Sequence, residues 1–208
     1  GLRDRGWVAL RRGDLSAAEG DARTALAATE LPAPSMYRIL NGSVLVTALV
    51  EKGELDAAAE TLALLDSEPE SGYVTDAVLR LARGRLRVGQ GRISEGLEDF
   101  ESVGADLTRV LVTCPSFLPW RSQAALAHLA LGDQEAAGRL AEDELELARV
   151  FGAPRALAVA KRAAGVVAGG DRGEELLREA IEAFGRCDAR LERARALADL
   201  GAMLRRRN

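Results

Sequence analysis

The chain has 208 residues, 48% of them hydrophobic, enough to bury a sizeable core. Its formal charge of -4 and pI near 5.3 leave no basic surplus for phosphate-backbone contacts, which disfavours direct nucleic-acid binding. Cys114 and Cys187 lack CxxC spacing and read as small buried apolar residues of a reduced, cytoplasmic chain, and no run approaches eighteen uncharged apolar residues, which excludes a membrane-spanning helix.

In chain order, one pattern recurs. Gly13 opens "GDLSAAEGDARTALA", Gly53 opens "GELDAAAETLALLD", Gly91 opens "GRISEGLEDF", Gly132 opens "GDQEAAGRLAEDELELA" and Gly170 opens "GDRGEELLREAIEAF". The spacing is about 39 residues, and each glycine sits between two helical stretches. Glycine ends the first helix because it enters the left-handed conformation cheaply, and Asp14, Glu54, Asp133 or Asp171 opens the second. Strand alternation and Asn-Gly hairpin signals are missing. The expected fold is therefore all-α, an α-solenoid of five and a half stacked antiparallel helix pairs forming a single domain over 1–208. Its units are expected at about 1–33, 34–70, 71–115, 116–153, 154–187 and 188–208, the last a half unit.

A small or slim residue stands seven before each turn glycine (Gly6, Val46, Gly84, Ala125) and another five after it (Ala18, Ala58, Gly96, Ala137). These are expected where paired helices cross, because a larger side chain would push the axes apart. The fifth unit is ambiguous, with Ala163 or Gly165 as its small residue. An irregular helical bundle is the bland alternative.

Small residues around a Gly-acid turn resemble the tetratricopeptide repeat, here with longer helices. HEAT-type units fit the period but usually carry a proline kink in the first helix, whereas Pro32, Pro34, Pro69, Pro115, Pro119 and Pro154 lie mostly between units. The stretches "RGWVALRRGDLSAAEGDARTAL", "ARGRLRVGQGRISEGLEDFESVG", "PWRSQAALAHLALGDQEAAGRLAEDELELARVFGAPRALAVAKRAAG" and "LERARALADLGAMLRRRN" resemble the helical-repeat region of large ATP-binding, MalT-like LuxR-type transcription regulators of actinobacteria. That resemblance implies a signal-sensing role coupled to a nucleoside-triphosphatase module and a helix-turn-helix, neither of which is in this sequence. It also implies that ATP belongs to a module outside the segment, so no cofactor is expected here. The N-terminus "GLRDRGWVAL" lacks a starting Met and reads as a cut from a longer protein. A stand-alone protein-binding adaptor is the rival expectation.

Nothing points to catalysis. His128 is the single histidine, no GxSxG elbow or zinc spacing exists, and "AALAHLALG" makes it a packing or rim residue. Glu142, Asp143, Glu144 and Glu146 read as a solvated face. A ligand or partner, whether a small-molecule inducer, a protein or a peptide, is expected on the concave surface lined by the first helices, where the register projects Arg3, Trp7, Ser43, Thr47, Arg85, Ser122, Leu126 and Leu129. The mixture departs from Lys/Asn-rich carboxylate clamps, which disfavours a C-terminal peptide. Arg80, Arg83 and Arg87 form a stripe that either binds an anion or pairs with neighbouring acids. Phe117, Trp120 and Arg121 in "CPSFLPWRS" have the composition of a contact hot spot, or else cap the core. Homo-oligomers through the solenoid ends are a further expectation.

Overall fold

A computed structural model describes residues 1–28, 35–66 and 72–207, and the side chain of Arg3 lies outside the described set, as do Pro32, Pro34 and Pro69. Among the described residues there are eleven α-helices and no strands. They are α1 (Leu2–Arg12), α2 (Leu15–Ala28), α3 (Ser35–Lys52), α4 (Leu55–Leu65), α5 (Tyr73–Gly89), α6 (Ile93–Arg109), α7 (Trp120–Ala130), α8 (Gln134–Phe151), α9 (Pro154–Ala168), α10 (Gly170–Arg186) and α11 (Arg190–Arg207). The chain divides into two compact units, Gly1–Val112 and Thr113–Asn208. In the first, α1 packs on α2, α3 on α4 and α5 on α6, while α3 also lies against α1, α2 and α5. In the second, α7 packs on α8 and α9 on α10, α9 also touches α7 and α8, and α11 closes against α10. Five pairs and one unpaired helix are the expected count.

The turns explain the period. Gly13, Gly53, Gly91 and Gly132 all have φ between 79° and 86°, the left-handed region that a Cβ penalises. Behind each, the next amide reaches five residues back: Asp14 to Ala9, Glu54 to Leu49, Arg92 to Arg87 and Asp133 to His128, at 2.8–2.9 Å. Orphan carbonyls at the helix ends are thereby satisfied. Asp14 and Asp133 also cap the next helix, accepting from the amides of Ala17 and Ala136 at 3.1 and 3.0 Å.

All eight small or slim positions are buried. The crossing of α5 and α6 is tight: a Cβ on Gly84 would lie 2.5 Å from Phe100 Cε1 and 3.0 Å from the Gly96 carbonyl, and one on Gly96 would lie 2.8 Å from the Gly84 carbonyl. In the fifth pair Gly165 faces Gly173, where a Cβ on Gly173 would meet the Gly165 carbonyl at 2.5 Å. That pair is closer in sequence than its counterparts because Gly169 alone separates α9 from α10. A shortened turn is why the fifth register was ambiguous from sequence.

Prolines stay at boundaries: Pro119 precedes α7 and Pro154 begins α9. Both cysteines are free, and both are partly rather than fully buried, which corrects that expectation.

Candidate functional site

In the first unit the arginine stripe faces acids. Asp99 of α6, 3% exposed, accepts from Arg83 Nε at 3.0 Å, Arg83 Nη2 at 2.7 Å and Arg87 Nη1 at 2.8 Å. Arg80 pairs with Asp106, also on α6. The stripe thus joins α5 to α6, and its positive charge is matched inside the hairpin. The Asp99 hydrogen bonds hold the Arg83 guanidinium above its ordinary pKa. Arg85 is half-buried and has a partner of its own.

The other first-unit candidates lie deeper than projected. Trp7 packs against the core made by Leu10, Val44 and their neighbours. Thr47 and Ser43 are corrections: both are buried, and their hydroxyls donate back along α3 to the carbonyls of Ser43 and Ile39 at 2.7 Å. Helix α3 is surrounded by α1, α2, α4 and α5, so its supposed open side is covered. The side chain of Arg3 falls outside the described residues.

In the second unit Trp120 and Arg121 open α7 after Pro119. The Arg121 guanidinium lies 4.6 Å from the Trp120 ring centroid, a cation–π contact. Its Nη1 is 3.6 Å from Glu144 Oε2 on α8, an ion pair longer than a hydrogen bond. Glu144 is only 2% exposed, and Oε2 has no hydrogen-bond partner. Burial pushes this carboxyl up to about 7, with Arg121 opposing the shift. The reading of "AEDELELA" as a solvated face holds for Glu142, Asp143 and Glu146 and is corrected for Glu144. Arg121, Asp143, Glu146, Leu147 and Val150 line a cavity of about 380 Å³. Ser122 is likewise corrected, being 1% exposed with an unpartnered Oγ. Leu126 and Leu129 are partly buried, Leu129 against the core of this unit. Phe117 is 38% exposed.

A second arrangement was missed from sequence. Arg155 of α9 pairs with Glu192 of α11, and Arg162 Nε donates to Asp199 Oδ2 at 2.6 Å; each pair spans 37 residues, about one repeat. Charged residues at equivalent positions of successive first helices therefore meet, and searching the sequence at the repeat distance would have found them. Arg207 reaches back to Asp171 and Glu174 of α10, tying the last turn of α11 to the first turns of α10.

Among the described residues no group of three or more His, Cys, Asp or Glu side chains is placed to hold a metal, and no helix is long and apolar enough to cross a membrane. His128 Nδ1 sits 3.4 Å from Asp133 Oδ2 beside the α7–α8 turn, a rim position.

No protein-family model matches the chain, and no curated protein sequence matches it significantly. Solved structures do match in fold. NprR, crystallised in complex with its cognate peptide NprX, aligns over 100% of this chain with a TM-score of 0.64 and 17% identity. The apo form of the quorum sensor NprR from B. thuringiensis aligns over 98% with a TM-score of 0.61 and 14% identity. The fold is a tetratricopeptide-like helical repeat. BtubC (BKLC) from P. vanneervenii aligns over 94% of the chain, covering 82% of its own, with a TM-score of 0.62 and 13% identity. This chain spans only 61% and 64% of the two NprR chains, less than two thirds of their length.

Proposed function

We propose that the chain is a non-catalytic sensing domain whose first helices receive a peptide or small ligand, and that it serves within a LuxR-type, MalT-like transcription regulator. The observation that carries the sensing role is the likeness in fold, along the whole of this chain, to part of NprR, a quorum sensor crystallised with its cognate peptide. The first helices of the second unit suit such a task. They carry the Arg155–Glu192 and Arg162–Asp199 pairs, and the partly buried Leu126, Val159 and Val166 lie on two of these helices, α7 and α9, a mixture of charged and apolar side chains suited to a peptide backbone and its side chains. A ligand acts as a signal when it binds two conformations unequally. The regulator context rests on the sequence resemblance, and ATP and operator binding would belong to modules outside this segment.

A thermal-shift screen of peptides, sugars and nucleotides tests the sensing role. A specific ligand at a hundred times its Kd stabilises by about 2.7 kcal/mol. Loss of that effect in Arg155→Ala or Arg162→Ala, with retention in Glu142→Ala, supports the reading; binding indifferent to both Arg155→Ala and Arg162→Ala overturns it. The native gene tests the context: a P-loop upstream and a helix-turn-helix downstream support the regulator. A gene made of repeats alone supports the adaptor, a reading favoured by BtubC, most of whose chain the match covers.

A further inference from the structure

We propose that the cavity between Arg121 and the outer face of α8 is a second, separate site that binds a free apolar α-amino acid, its zwitterionic head at Arg121 and Asp143 and its side chain over Leu147 and Val150. The cavity, about 380 Å³, lies at the small end of the range for ligand pockets. Its charges are segregated: the cation stands on α7 and the carboxylates on α8. Neither Asp143 nor Glu146 has an ion-pair partner among the described residues, in a structure where most acids do.

Arg121 is pre-organised. The Trp120 ring and Glu144 hold its guanidinium, its side chain is 18% exposed, and the 3.6 Å separation from Glu144 leaves its N–H groups free to donate elsewhere. A guanidinium with unspent donors recognises a carboxylate bidentately. The neighbouring unpaired Asp143 accepts an ammonium. Leu147 and Val150 follow about 6 and 10 Å along the helix from Asp143, at 1.5 Å per residue. A head needing both charges is thus followed by an apolar surface as long as a branched aliphatic side chain. Val150 is 85% exposed, an apolar side chain that such a ligand would cover.

Glu144 adds a signature. A ligand carboxylate at Arg121 competes with the Glu144 carboxylate for the same guanidinium, so binding favours the protonated form of Glu144 and draws a proton from buffer.

The experiment is calorimetric titration of the folded chain with L-leucine, N-acetyl-L-leucine (no ammonium), L-leucinamide (no carboxylate) and glycine (no apolar side chain). The expected result is saturable binding of leucine at millimolar concentration, at least roughly tenfold tighter than each analogue, with proton uptake revealed by buffers of different ionisation enthalpy. Arg121→Gln should lower leucine affinity to that of leucinamide, and Asp143→Asn to that of N-acetyl-leucine. Glu144→Gln should keep leucine binding and abolish proton uptake. No saturable heat with leucine overturns the proposal. So does equal binding of leucinamide, which would mark a site for a peptide N-terminus, or of N-acetyl-leucine, which would mark one for a C-terminus. Leucine binding unchanged in both Arg121→Gln and Asp143→Asn also overturns it, circular dichroism confirming that each variant is folded. None of these outcomes depends on a ligand held at Arg155 and Arg162.

Discussion

Arg83 and Asp99 form a two-pronged ion pair across the α5–α6 hairpin, with Nε 3.0 Å and Nη2 2.7 Å from the same carboxylate oxygen and Arg87 on the other. Asp99 is 3% exposed, so its carboxylate depends on the two arginines rather than on water. Asp99→Ala strands two half-buried guanidinium groups and is expected to cost about 3 kcal/mol in urea denaturation. Glu182→Ala, which breaks the fully solvated Arg186 pair, should cost less than about 0.5 kcal/mol. Equal effects would mean that the buried pair does not hold the hairpin.

Glycine substitutions separate crossings from open faces. Gly84→Ala places a methyl against Phe100 and the Gly96 carbonyl, and should destabilise by roughly 1 to 3 kcal/mol. Gly138→Ala meets nothing within 4 Å in the middle of α8 and should stabilise by roughly 0.5 to 1 kcal/mol. Melting curves of the two variants should move in opposite directions.

Glu144 should make stability fall as pH rises. Below the ordinary carboxyl value of 4.5 both folded and unfolded forms are protonated and nothing is lost. Between 4.5 and about 7 the unfolded chain has released this proton while the folded chain keeps it, so the folded state weakens until both are ionised. A shift of this size corresponds to about 3 kcal/mol. Glu144→Gln should match the native chain at pH 5 and exceed it at pH 8, as measured by urea denaturation at the two pH values.

Leu111 is an L-residue at φ 56° just after α6, and it is 86% exposed. Its side chain contributes little packing, while the left-handed backbone costs roughly 1 to 2 kcal/mol. Leu111→Gly should therefore raise stability by about 1 kcal/mol and the Tm by a few degrees. An unchanged or lower Tm would show that this backbone is not strained.

Local rules were enough to read the repeat. Left-handed turn glycines, acidic caps at Asp14 and Asp133, and small residues at Gly84, Gly96, Ala125 and Ala137 each act within one hairpin, and each depends on residues a dozen or fewer apart. The fifth turn resisted because two successive glycines, Gly169 and Gly170, both have positive φ and the linker shrank to one residue.

Sequence by itself thus determined an all-α chain of hairpins of about 39 residues, since glycine's backbone freedom and the steric limit at a helix crossing leave little choice. Tertiary structure decided which polar groups lie inside. Asn41 through Leu49 are all buried, because α3 is covered on more sides than its amphipathic pattern implies. Glu144 is submerged although Asp143 beside it is solvated, and Arg155 and Arg162 find acids 37 residues away. Periodicity sets which way a side chain points from its own axis; the height and rotation of the neighbouring helix set what it meets.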